Sequence, residues 1–230
     1  MTRWKIIWLV ILLMLALAFV TWGGYYYYNN FLKIDPNQLI EETLKKTLQT
    51  DSYRFHVKLQ LQVDGRQVQL SDVQGEKANS KDFHIKGKMQ NQDVEVFQIN
   101  NVTYLKNGLQ EKWIVVPDNP VFETESFLAE INPISSFNFS ELIKLNYLGK
   151  TKEKFKKYYV FECTPTVYNQ FLAKFWHNFK YKIWVEQGSR RIVKAEVTAN
   201  SKAKPTDTLS MLVELKDYNA KIKLHPPQEK

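Results

Sequence analysis

From Tyr53 to Asp64 the chain alternates without a break. Odd positions hold Tyr53, Phe55, Val57, Leu59, Leu61 and Val63; even positions hold Arg54, His56, Lys58, Gln60, Gln62 and Asp64. Successive side chains of a strand point to opposite faces, so this stretch reads as a β-strand with one apolar and one wet face. A helix would scatter the same residues around its axis. Asp64-Gly65 follows, a dipeptide suited to a two-residue hairpin turn. A second strand carrying Val68 and Leu70 comes next.

The same rhythm continues downstream. Phe83, Ile85, Gly87 and Met89 alternate with His84, Lys86, Lys88 and Gln90. Val94–Ile99 and Val102–Lys106 follow, the first with a phase switch that predicts a bulge. Asn107-Gly108 is a second hairpin signal, leading to Trp113–Val116. Residues 117–145, punctuated by Pro117, Pro120 and Pro133, lose the alternation. They read as loops and short helices, with Ser140 capping a last turn over Glu141–Leu145. Strands resume at Tyr147–Thr151 and Tyr158–Cys163. Thr164-Pro165 then opens a helix whose Val167, Phe171, Leu172, Phe175, Trp176 and Phe179 recur at helical spacing. Tyr181–Gln187, Arg191–Ala199 and Leu209–Leu224 close the chain as strands, the last with a switch of buried phase at Tyr218, and Pro226-Pro227 ends it.

A helix precedes all of this. Asp35 is its N-cap, Pro36 suits its first position and Gln38 completes a capping-box pattern. Leu39, Ile40, Leu44 and Leu48 form its apolar stripe. The expected fold is mainly β (α+β), with about ten or eleven antiparallel strands covered by two helices. An open sheet that large must curl.

Ile6–Trp22 carries no charge, and Thr21 is its one polar residue. As a helix it reaches about 26 Å, slightly short of a ~30 Å hydrocarbon core, with Trp4 and Gly23–Gly24 able to extend it. Arg3 and Lys5 precede it, and no charge follows before Lys33. The positive-inside rule then predicts a cytoplasmic tail over 1–5, a transmembrane helix over 6–23, a linker over 24–34 and an extracytoplasmic domain over 35–230. On this reading the membrane is a partner and Tyr25–Tyr28 lie at its headgroup level. The alternative is a cleaved signal peptide ending near Ala16-Leu17-Ala18, although the apolar run continues past that site.

Composition narrows the chemistry. Cys163 is the single cysteine, so no disulfide can form within the chain, and the core must carry stability. The net charge of +8 suits anionic lipid headgroups, wall polymers or a plain solvated surface. There is no nucleophile-elbow, phosphate-loop or paired-cysteine metal motif. No catalytic residue, metal or cofactor is expected. His56 and His84 fall on polar strand faces; Cys163, at the end of Tyr158–Phe161, reads as a small hydrophobe. The segment KTKEKFKK (150–157) reads as a solvated hairpin, and no nucleic-acid partner is expected.

Several segments resemble a known group. A capped helix leads into Ser52–Phe55; a meander carries Val102–Lys106 and Lys112–Trp113. After the proline-flanked insert come Tyr159–Cys163, a helix, Ile183–Glu186 and Asp217–Pro226. This order over residues 35–227 resembles the LolA/LolB-like superfamily and the LppX/LprG-type envelope lipoproteins. The resemblance implies a strongly curved half-barrel, closed on its concave side by helices and loops, which binds acyl chains or lipoproteins without enzymatic activity. It implies a cavity cover of Phe122, Phe127, Leu128, Ile131, Ile134, Phe137, Phe139 and Leu142. The implied lining is Tyr53, Phe55, Val57, Leu59, Phe83, Ile85, Phe171 and Phe175. The cover residues read more readily as a fixed core plug than as a movable cover. The competing function is a cell-surface scaffold with a filled half-barrel.

Overall fold

A computed structural model describes residues 3–27, 34–79, 81–106, 112–117, 132–168 and 170–227. The chain divides into two compact units, Met1–Leu39 and Ile40–Lys230.

In the first unit, helix α1 spans Arg3–Tyr27. The transmembrane expectation is corrected here: among the described residues no helix is long and apolar enough to cross a membrane. Tyr28 and residues 29–33 of the expected linker lie outside the described residues. The Asp35 cap forms: its Oδ1 accepts the amides of Asn37 at 2.9 Å and Gln38 at 3.4 Å. Helix α2 runs from Pro36 to Leu48 and carries the chain into the second unit.

The second unit holds eleven strands: β1 Tyr53–Val63, β2 Arg66–Lys77, β3 Phe83–Met89, β4 Gln92–Ile99, β5 Val102–Lys106, β6 Trp113–Pro117, β7 Phe139–Glu153, β8 Lys156–Val167, β9 Trp176–Glu186, β10 Ile192–Ser201 and β11 Thr208–Lys216. All belong to one antiparallel sheet ordered β6-β5-β4-β3-β2-β1-β11-β10-β9-β8-β7. The first six strands meander outward from β1. The chain then crosses to the far edge and meanders back, until β11 pairs with β1, Val57 opposite Val213. β6 and β7 are the two edges, so the sheet is curved but unclosed. The expected Asp64-Gly65 turn is present, with both residues at positive φ, 51° and 75°. Asn107-Gly108 lies outside the described residues.

Three further expectations are corrected. The second covering helix is a single short one, α3, Gln170–Phe175; Val167 ends β8, and Trp176–Phe179 already belong to β9. A short 3-10 helix, Pro133–Phe137, supplies part of the cover instead. The capped turn over Glu141–Leu145 is strand, since β7 runs unbroken from Phe139 to Glu153. The last strand stops at Lys216, and residues 217–227 have no regular structure. Asp217 and Asn219 sit at positive φ, 55° and 57°, which breaks the extended backbone where the phase switches.

Candidate ligand-binding face

Cross-strand pairing extends the β1 alternation over the whole sheet. Phe55 lies opposite Leu215 and Gly75, and Val57 opposite Val213 and Val73. Ile85 then lies opposite Gly75 and Val96, and Leu105 opposite Val96 and Ile114. In the other direction Ala195 opposes Val213 and Ile183, and Phe161 opposes Ile183 and Tyr147. Directly opposed residues share a face. One apolar inner face therefore runs from Ile114 on one edge to Tyr147 on the other.

Part of this face is sealed. Phe137, Phe161, Val57, Ile183, Val185 and Val213 are completely buried, and Tyr53 and Tyr181 nearly so. Two tyrosines peg the 3-10 helix onto it. The Tyr181 hydroxyl donates to the Ser136 carbonyl at 3.0 Å, and the Tyr53 hydroxyl donates to Asn132 Oδ1 at 2.7 Å. Burial pushes the pKa of both phenols up, keeping them neutral donors. From α2, Thr47 Oγ1 accepts the Ile192 amide at 3.2 Å, and Glu42 pairs with Arg190 at 2.7 Å.

Two glycines make room on the same face. A Cβ on Gly75 would lie 2.3 Å from the Phe55 ring, its cross-strand neighbour. A Cβ on Gly87, at φ 154°, would lie 2.2 Å from the Asp72 carbonyl oxygen. Phe55 thus occupies the space that a side chain at position 75 would need.

Elsewhere the face stays open. Beyond Val57, the inward Leu59, Leu61 and Val63 are only half-buried. Val68 is 45 % exposed and Ile114 49 %. Met89, Val94, Leu105 and Val116 are half-buried. These residues, from the far half of β1 through β6, form an apolar margin that is continuous with the sealed centre and has no cover among the described residues.

The outer face is chemically different. A hollow of about 770 Å3 lies there, lined among others by Arg54, His56, Trp184, Glu186, Lys194 and Glu214. A second, of about 480 Å3, is lined among others by Lys144, Glu162, Lys182 and Thr198. His56 sits between Asp72 at 2.7 Å and Glu214 at 3.0 Å. Burial opposes ionisation of Asp72, but hydrogen bonds from His56 and Lys58 hold its carboxyl below the usual range. His84 stacks on Phe97 at 3.8 Å and contacts Glu95 at 3.2 Å. Both histidines lie on the polar faces expected for them, but within ion-pair networks rather than freely solvated. Among the described residues no group of His, Cys, Asp or Glu is arranged to hold a metal. Cys163 is buried, and burial pushes its thiol up to about 12, so the thiolate nucleophile is suppressed.

The expected site residues fall into four groups. Tyr53, Phe55, Val57, Phe83, Ile85, Ile134 and Phe137 are buried in the sealed part. Leu59, Phe139 and Leu142 lie half-buried on the inner face. Phe175 closes α3 and is 47 % exposed, while Phe171 lies in α3 with its side chain outside the description. Phe122, Phe127, Leu128 and Ile131 lie outside the described residues. The open margin also holds Leu61, Val63, Val68, Met89, Val94, Leu105 and Ile114, which the expected lining omitted. Leu61, Val63 and Met89 continue the inward phase of β1 and β3, whereas the others are placed on the same face by cross-strand pairing.

No protein-family model matches the chain, and no curated protein does. Solved structures do. The lipoprotein LppX of Mycobacterium tuberculosis is 16 % identical, with 84 % of this chain and 100 % of that one covered at a TM-score of 0.53. LprF of Mycobacterium bovis is 12 % identical, with 83 % and 95 % covered at a TM-score of 0.56. At these identities the likeness is one of fold, and it agrees with the resemblance carried by the strand segments: the eleven-stranded unit has an LppX-like fold.

Proposed function

We propose that the chain is a non-enzymatic binding protein that takes an acyl chain or another apolar ligand along the open margin of its inner face. The observation that carries this reading is the continuity of that margin with a dry core. Leu59, Leu61, Val63 and Val68 remain partly in water although they share a face with completely buried Val57. Contiguous exposed apolar surface of this kind marks interaction sites in soluble domains. Each CH2 moved from water onto it gains about 0.8 kcal/mol, so a long acyl chain has ample driving force. The LppX-like fold supports the same reading, and an extracytoplasmic location is proposed with it.

The test is native mass spectrometry of the full chain for co-purifying lipid, with titration of a fluorescent fatty acid. Saturable uptake should be lost in Leu61→Glu and Val68→Glu, which place a charge on the margin while sparing the sealed centre. A chain that emerges empty and takes up no fatty acid sinks the proposal.

The filled-scaffold reading keeps one observation in its favour: the centre of the sheet is plugged, with Phe137 and Phe161 completely buried. It predicts no uptake by the wild-type chain.

A further inference from the structure

β7 and β8 extend as a long hairpin to a last pair, Glu153 opposite Lys156. The turn between them is Lys154-Phe155, with Lys154 at φ 55°. Two-residue turns favour Gly, Asn and Asp, which reach positive φ cheaply. Neither Lys154 nor Phe155 is explained by turn geometry. Phe155 is not explained by packing either, since it is 97 % exposed.

Its surroundings are basic. Residues 150–157 hold five lysines and one glutamate, a net +4 (5 − 1). Lys156 is matched by Glu186 at 2.8 Å. Lys150, Lys152, Lys154 and Lys157 are exposed and make no ion pair among the described residues. A bare aromatic ring thus stands at the tip of a finger collared by unmatched ammonium groups.

We propose that this hairpin docks on an anionic lipid bilayer, Phe155 entering the boundary between headgroups and acyl chains while Lys150, Lys152, Lys154 and Lys157 lie over the lipid phosphates. Clustered lysines are drawn to anionic bilayers, and an apolar side chain among them adds burial once contact is made. An acidic protein or polymer would satisfy the lysines but leave Phe155 in water, which is why the bilayer is the favoured partner. The proposal is independent of the inner face and of any ligand bound there.

The test places a fluorophore beside the tip. In the full chain, Glu153→Cys is labelled with an environment-sensitive dye; buried Cys163 stays silent because its thiol is inaccessible and pushed up to about 12. Vesicles carry nitroxide-labelled lipid in phosphatidylcholine, with or without phosphatidylglycerol. A local probe reports the hairpin whatever the rest of the chain does. The expected result is quenching by phosphatidylglycerol vesicles that disappears at high salt and when the four unmatched lysines are changed to Glu, and that weakens several-fold with Phe155→Ser. Absence of quenching, or equal quenching by both vesicle types, overturns the proposal. So does binding to soluble polyglutamate without vesicle quenching, which would make the partner an acidic polymer.

Discussion

The two ends of β1 lie on one face of one sheet, yet they live in different environments. Tyr53, Phe55 and Val57 are at most 3 % exposed, whereas Leu59, Leu61 and Val63 keep partial contact with water. Their chemistry does not differ; their cover does. The near end carries the 3-10 helix, whose leading Asn132 is pegged by Tyr53, and the far end has no such cover among the described residues. Alternation alone therefore sets which side chains point inward, while the irregular elements decide which of those stay dry.

The strongest way to break that contrast is truncation on each side of it. Phe161→Ala, at a completely buried position, should cost about 3–5 kcal/mol of stability through lost transfer and an unfilled cavity. Leu61→Ala should cost less than ~2 kcal/mol, because part of its side chain is already in water. Urea denaturation midpoints at unchanged slope measure both. Equal losses would mean that the margin is as tightly packed as the centre, and would remove the proposed binding face.

Gly75→Ala sharpens the picture of how the centre is filled. The added methyl meets the Phe55 ring at 2.3 Å and the His84 carbonyl oxygen at 2.8 Å. The ring can turn, but the backbone oxygen cannot move without shifting β3, so a loss of about 1–3 kcal/mol is expected from overpacking. Restoration of stability in the double variant Gly75→Ala, Phe55→Leu would show that the ring is the occupant of that space.

The pegs come next in size. Tyr181→Phe leaves the Ser136 carbonyl without its phenol donor in a buried site, and a loss of about 1–2 kcal/mol is expected. The comparison also predicts where the loss shows. Hydrogen exchange should speed up around Pro133–Phe137 before it does in β9 or β10, because the peg holds the cover and not the sheet.

Much of the sheet was legible because β1, β3 and β11 keep strict period two. β7 was not, and its pairing explains why. Register shifts between Phe139 and Glu141 and between Leu142 and Lys144 each insert an extra residue. The inward residues then fall at Phe139, Leu142 and Leu145, a spacing of three that imitates a helix. Ser140 and Glu141 complete the imitation by resembling a cap. The supposed aromatic helix misled in a related way: Val167, Phe175 and Phe179 come from β8, α3 and β9 in turn, and their apparent stripe is a coincidence of three short elements. The candidate site was legible on β1 as far as Leu59 and on β3 as far as Ile85. It was missed at Leu61 and Val63 of β1, at Met89 of β3, and on β2, β4, β5 and β6, where apolar residues are few or fall on both faces. Their apolar residues gain meaning only once cross-strand pairing lines them up.

The smallest expected effect lies on α2, where two threonines one turn apart are both completely buried. Thr47 Oγ1 accepts the Ile192 amide, whereas Thr43 Oγ1 has no hydrogen-bond partner among the described residues. A buried hydroxyl without a partner costs free energy that a methyl group of the same shape does not. Thr43→Val should therefore raise stability by up to about 1 kcal/mol, helix propensity being nearly equal for the two residues. Thr47→Val should lower it by a similar amount, since the Ile192 amide then loses its acceptor. The pair separates two views of the cover. If α2 were held by apolar contact alone, both substitutions would be neutral or favourable. Opposite signs in thermal melts of the two variants would show that a single hydrogen bond fixes the helix in register on β10.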